Sequence, residues 1–371
     1  MSSTTMQAAI FKGIQTIVVE NRSIPTCKDP TDIVIKVHIA GLCGSDLHIY
    51  RGHESTETDI IMGHEFVGDV IEAGSDVKIF KKGDRIIVPF STSCGICFYC
   101  TKALTSRCEK SQLFGSSLLD GGQAEYVRIP LADTTAFFAP KEISNDLAIL
   151  MADIFPTGYF AAKNAWTLLS DQERQDPNLI VVVVGCGPVG LCAITAACEY
   201  FPTVYAIDSV EERLEEAKRH GGIPINLNKD PVSAIKKVTE GRGADAVMEI
   251  VGHADALQLA YDLIRPWGVI ASVGVQQDAF PFKGPQVYDK NVRLQFGRCP
   301  VRALFPEALQ ILSKKQDQFK NFISHRMYAM MDEKIDEATT SLNIAANHFI
   351  GEHIDAVIDK VVTEIGDDNN R

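Results

Sequence analysis

Four of the chain's ten cysteines fall within one polar stretch, CGICFYCTKALTSRC, as Cys94, Cys97, Cys100 and Cys108. The spacing C-x2-C-x2-C-x7-C admits disulfides, a redox pair or a metal clamp. The beginning of the chain, MSSTTMQAAIFKG, has no basic start followed by an apolar run and a small-residue cleavage site. A cytoplasmic location is therefore expected, and there thiols stay reduced. A redox C-x-x-C normally opens a helix after a strand, whereas this one lies among Ser, Thr, Gly and Lys with two more cysteines behind it. Iron–sulfur clusters also take four thiolates, but with other spacings. Four thiolates in one short loop suit a closed tetrahedral zinc. Such an ion does no chemistry; it holds together a lobe at about 90–115 that has too few apolar residues for its own core.

A second motif, Gly185-Cys186-Gly187-Pro188-Val189-Gly190, matches G-x-G-x-x-G. It follows the strand-like LIVVVV and opens the helix-like PVGLCAITAACEY, and the next strand, TVYAID, ends on Asp208. In that context the motif points to a dinucleotide. Gly185 makes the tight turn, Gly187 admits the pyrophosphate and Gly190 lets helix and strand approach. Pro188 and Val189 begin the helix, whose N–H groups and dipole face the phosphates. Asp208 is placed to accept from the adenosine ribose hydroxyls and to repel a 2′-phosphate, favouring NAD over NADP. Arg213, five residues on, works against that preference. Leu179–Cys198 carries no charge and is long enough to span a bilayer, but three glycines and a proline break it. A buried strand–turn–helix explains it better.

The elements that must position these groups follow from patterning. With 46% hydrophobic and 23% charged residues the chain is an ordinary globular protein, and 371 residues suggest two domains. A net charge of −12 argues against nucleic acid and anionic membrane as partners. The first third reads as short strands: IVIKVHI, FVGDVIEAG, GDRIIVPF and GGQAEYVRIP. Helical spacing runs from Asp146 to Leu169, and strands then alternate with helices through ADAVMEIVG, GVIASVG and NVRLQFG. That alternation predicts a parallel sheet covered on both faces. Val273 and Val275 end one of its strands, where a cofactor rests.

Three isolated residues complete the candidates: Cys43 in GLCGSDLHIY, His64 in GHE and Asp153 in MADIFPTGYFA. By type alone they remain open between packing and metal ligation. Taken together, G-x-C-G-S-D-x-H, G-H-E-x-x-G, the cysteine loop, D-x-x-x-T-G-x-x-A, G-x-G-x-x-G and the acidic strand end stand in the order of the zinc-dependent medium-chain alcohol dehydrogenases. The chain resembles that family over most of its length. In detail it is similar to the formaldehyde dehydrogenase and secondary-alcohol branches, through D-I-F-P-T-G and through GRCPVR at Gly297–Arg302.

The resemblance implies an α/β plus β-rich fold. A GroES-like catalytic domain (1–156 and 300–371) holds an inserted Rossmann domain with a doubly wound parallel sheet (157–299). It implies two zinc ions per chain, the catalytic one held by Cys43, His64 and Asp153, with Glu65 beside it. Many of these enzymes have Cys where Asp153 stands; one thiolate fewer leaves a harder zinc. It further implies hydride transfer between an alcohol, or its aldehyde or ketone, and NAD through a zinc-bound alkoxide. Ser45 and His48 relay the proton, Thr157 and Gly158 lie near the nicotinamide, and Arg298 lies at the pyrophosphate. Asp46 fits either steering a ligand imidazole or the helix N-terminus. A homodimer or homotetramer is implied. The alternatives are a polyol or diol dehydrogenase on the same fold and an inactive cofactor-binding regulator, for which the metal set should be damaged.

Overall fold

The computed structural model describes residues 4–276, 278–320 and 322. Among them the strands run β1 (Thr5–Gly13), β2 (Thr16–Ser23), β3 (Ile33–Ala40), β4 (Ile60–Ile61), β5 (Phe66–Ala73), β6 (Arg85–Val88), β7 (Tyr126–Ile129), β8 (Phe137–Phe138), β9 (Ile180–Val184), β10 (Thr203–Asp208), β11 (Ile223–Asn226), β12 (Ala244–Glu249), β13 (Ile264–Ser272) and β14 (Arg293–Phe296). Two compact units emerge. One gathers the chain up to Arg85 with Leu113–Pro130; the other gathers Ile86–Gln112 with the chain from Leu131. The tail expected to return to the first domain lies, from residue 323, outside the described residues.

The first unit is antiparallel. β1 pairs with β2 and β4, and β3 lies between β5 and β7. The β1–β2 hairpin adds to the strands expected from the sequence. Alternation along β1 feeds two clusters: Ala9 and Phe11 join Ile17, Ile60 and Met62, while Ala8 and Ile10 join Met6, Ile61 and Ala124. β3 matches its pattern, with Ile33, Val34, Ile35 and Val37 buried and Lys36 and His38 exposed. Its pairing with β5 slips between Val37 and Ile39. Such a bulge bends the strand, and the bent end leads into Cys43 and the helix Gly44–Tyr50.

In the second unit β6 pairs with β8, and a six-stranded parallel sheet runs in the order β11-β10-β9-β12-β13-β14. β9 is buried at every residue, as a strand covered on both faces must be. Strand order reverses between β9 and β12, which opens a crevice beyond their carboxyl ends. At the opposite end buried Asp245 accepts from the Ile180 N–H (2.9 Å) and from Arg242 and Arg265 (both 2.6 Å). Glu173 takes Arg265 (2.6 Å) and Arg293 (2.7 Å); Arg293 above all holds its carboxyl well below the usual range. Within the stretch of helical spacing from Asp146 to Leu169, a 3-10 turn, Ile149–Ala152, meets the helix Ile154–Thr167 at Asp153. Gly158 is where that helix meets the helix Pro188–Ala197; a Cβ there would lie 2.5 Å from the Ala193 nitrogen. No helix among the described residues is long and apolar enough to cross a membrane.

His220 closes the amphipathic helix Glu211–Arg219. It is 1% exposed, its Nδ1 lies 2.8 Å from the Thr195 hydroxyl, and its ring packs edge-on to Phe319. Burial, with Arg219 adding to it, pushes the imidazole down to about 4. The unfolded chain takes up this proton first, so stability is full above the ordinary histidine value and is lost as pH falls toward 4. We expect a loss of roughly 2 kcal/mol between pH 6.5 and pH 5 from this group. Urea unfolding of His220→Gln should show a correspondingly flatter pH dependence; an unchanged slope would exclude His220 as the source.

Candidate metal centres and cofactor cradle

In the first unit the strand–turn–helix through Cys43 and the loop before β5 converge. The ligand atoms of Cys43, His64 and Glu65 lie within 4.8 Å of one another. They come from sequence positions 43 and 64–65, brought together because β3 and β5 are neighbours in register, Ala40 facing Phe66. A buried carboxylate organises the group. Asp46, 3% exposed, accepts from the Cys43 N–H through Oδ2 (3.0 Å) and sits 3.3 Å from His64 Nδ1 through Oδ1. This directs Nε2 of His64 outward, 3.4 Å from the Ser45 hydroxyl. Both roles open for Asp46 are observed: one oxygen steers the imidazole and the other accepts from the N-cap N–H at the start of the helix Gly44–Tyr50.

Gln123 completes the arrangement, and no motif announced it. It is 2% exposed, and its amide nitrogen lies 3.5 Å from Asp46 Oδ2 and 3.3 Å from the Gly41 carbonyl. Gly41 has its own reason: a Cβ there would come within 2.4 Å of Glu65 Oε2. Burial pulls the His64 imidazole down, but Asp46 and the Cys43 sulfur overcome it and hold the ring well above its ordinary value. The pocket thus favours positive charge. A soft sulfur, an imidazole and a carboxylate with one fixed histidine tautomer make a set that fits zinc.

His48, on the same short helix, is half-buried, and its ring centroid lies 5.7 Å from that of His53. Burial first, then the neighbouring His53, lowers its affinity for a proton.

The second unit holds the cysteine loop, the glycine turn and Asp153. The sulfurs of Cys94, Cys97, Cys100 and Cys108 also lie within 4.8 Å of one another. Backbone N–H groups of Cys94 (3.2 Å) and Lys110 (3.3 Å) point at the Cys108 sulfur. The N–H groups of Glu109 and Cys100 bring the Cys97 thiol down to about 6, while burial pushes Cys108 up to about 12. Sulfurs so close, already supplied with N–H donors, fit a tetrahedral zinc. Of the remaining cysteines, Cys186, Cys192 and Cys299 are buried and Cys27 and Cys198 partly so.

The glycine turn follows β9 at the strand-order reversal. Gly185 has φ +96°, which favours glycine, and a Cβ on Gly190 would lie 2.0 Å from the Gly185 carbonyl oxygen. A Cβ on Gly187 would meet nothing within 4 Å, so the backbone there is open to a ligand. Pro188 and Val189 start the helix as expected. Asp208 does more than its motif suggests: it accepts from the Cys186 N–H (2.8 Å) and the Val210 N–H (3.0 Å), clamping the turn to β10. Arg213 Nη1 is 3.7 Å from it. Val273 donates its N–H to the Glu249 carbonyl, and Val275 is exposed. Both lie just past the carboxyl end of β13. Thr157 donates its hydroxyl to Asp153 Oδ1 (2.6 Å). Asp153 itself has φ −149°, ψ −66°, a sparsely populated conformation at the helix break. The Arg298 guanidinium lies 5.8 Å from the Phe90 ring.

The model of the alcohol dehydrogenase GroES-like domain matches residues 29–138, and that of the zinc-binding dehydrogenases matches 188–314. The zinc-type alcohol dehydrogenase B of Aspergillus flavus is 50% identical over 84% of this chain and 73% of its own length. The chain belongs to the zinc-dependent medium-chain dehydrogenase family. Among solved structures, the alcohol dehydrogenase TADH of Thermus sp. ATN1 has a TM-score of 0.83 at 32% identity, covering 92% of this chain and 97% of that one. The short chain alcohol dehydrogenase rspB of E. coli CFT073, complexed with NADH, has a TM-score of 0.72 at 26% identity, covering 84% and 89%. The protein is thus a zinc-type oxidoreductase of that family, built from a GroES-like and a Rossmann domain.

Asp46→Asn should weaken metal binding at Cys43 and His64 by about 10–100-fold. Metal analysis after dialysis against a chelator, with the cysteine-loop metal retained, checks this.

Proposed function

We propose that this chain is an NAD-dependent alcohol dehydrogenase, or carbonyl reductase in the reverse sense, with one catalytic and one structural zinc. The observation that carries this proposal is the convergence of Cys43, His64 and Glu65 around an imidazole whose tautomer Asp46 fixes. Asp153 is proposed as a further ligand. Its place in D-x-x-x-T-G-x-x-A and the Thr157 hydrogen bond that orients its carboxylate support the assignment.

When bound, zinc supplies a Lewis acid and the nicotinamide a hydride acceptor or donor. The chain's own groups do the rest. Ser45, beside Nε2 of His64, is placed to take the proton of the substrate hydroxyl on Oγ. His48, kept neutral near pH 7 by burial, is a base able to receive it and release it to water. Arg298, Thr157, Val273 and Val275 are proposed cofactor contacts. The Asp208 carboxylate retains lone pairs for ribose hydroxyls while it clamps the turn, and this favours NAD.

A screen of NAD and NADP reduction over primary, secondary and polyhydric alcohols tests the assignment; no turnover with any of them would refute it. Ser45→Ala should lower kcat by about 100-fold or more with metal content unchanged, and near-normal turnover would remove Ser45 from the relay. Asp208→Asn keeps an oxygen for the Cys186 N–H but removes the charge. The ratio of kcat/KM for NAD over NADP should fall by roughly 10–100-fold, and an unchanged ratio would sink the NAD assignment.

A further inference from the structure

Arg302 is the second residue of the helix Val301–Lys314, far in sequence from the cysteine loop. Its guanidinium lies over the Phe137 ring, 4.1 Å from the centroid, and donates to the Ala136 carbonyl (3.0 Å). Phe137 in turn stacks on Phe305 at 3.8 Å, which locks the plane in place. Among the described residues no carboxylate lies within ion-pair distance of Arg302. A guanidinium taken partly out of water without a counter-charge is costly.

What faces it is the cysteine lobe. Arg302 shares a small cavity, with room for about one water, with Ser93, Thr105 and Ser106. Ser93 precedes the first cysteine and its hydroxyl lies 3.8 Å from the Cys100 sulfur. Thr105 opens the turn that leads to Cys108; it is 7% exposed, and its buried hydroxyl has no partner among the described residues. Burial disfavours charge on Arg302.

We propose that Arg302 is the counter-cation of the cysteine-lobe metal centre, a positioning residue that lowers the cost of concentrating four thiolates and so helps the lobe keep its ion. This rests on the structural-zinc assignment above. Four thiolates around one divalent ion leave a dinegative unit. A partly buried dianion and a partly buried guanidinium each lack a counter-charge alone and supply one together. A planar guanidinium, able to stack on Phe137 and to donate in several directions, suits the place better than an ammonium.

The test follows zinc release from the full-length protein to a chromophoric chelator. The lobe's phase is the one that disappears on Cys97→Ser. Arg302→Met should release that zinc at least about tenfold faster than the wild type, the other phase being unchanged. Arg302→Lys, which keeps the charge but not the plane, should restore most of the retention. Wild-type release rates in Arg302→Met would overturn the proposal. So would Arg302→Lys behaving like Arg302→Met, since stacking alone would then account for the residue. A wild-type chain with no cysteine-dependent phase would overturn the structural-zinc assignment itself, and this proposal with it.

Discussion

A buried carboxylate is tolerable only where donors surround it, and Asp46 meets that constraint with groups the metal site needs anyway. The Cys43 backbone N–H, the His64 ring and the Gln123 amide all lie around its two oxygens. The carboxylate fixes which imidazole nitrogen is left for a metal and ties the start of the Gly44–Tyr50 helix to the loop before β5. Cys43, His64 and the hydroxyl of Ser45 keep their relative places because of that one group. Gly41 leaves the space that Glu65 occupies.

The nucleotide side repeats the same economy. Asp208 binds two backbone N–H groups, one from the glycine turn and one from the start of the following loop. A residue expected only to read ribose therefore also holds the turn in shape. A change there therefore acts on the shape of the turn, whatever it does to cofactor choice. The opposite end of the sheet carries no such chemistry. Its buried carboxylate, Asp245, and Glu173 bind arginines from two strands and from the turn before β12 and serve cohesion.

Much of this was legible in the chain. The cysteine spacing announced a clamp, and the sulfurs do gather. The alternation of IVIKVHI and the unbroken apolar run of β9 gave the right strands with the right burial. The weaker signals were those shared with other elements. The β1–β2 hairpin lacked a recognisable turn pair, and the helical spacing from Asp146 onward did not reveal the break at Asp153. That break is set by backbone conformation at one residue, which hydrophobic spacing does not report.

The sequence by itself determined what depends on near neighbours: the glycine turn, the cysteine loop, the helix and strand periods, and hence the family. Covalent geometry makes spacing decisive over such short distances. Only the tertiary structure decided that Cys43 meets His64, that Gln123 lies near Asp46, that Asp208 clamps the Cys186 N–H and that Arg302 faces the cysteine lobe. Those meetings join residues far apart in the chain, and they depend on strand register and on which helix packs where. A polar side chain such as Gln123 or Arg302 looks the same in sequence whether it faces water or a buried charge.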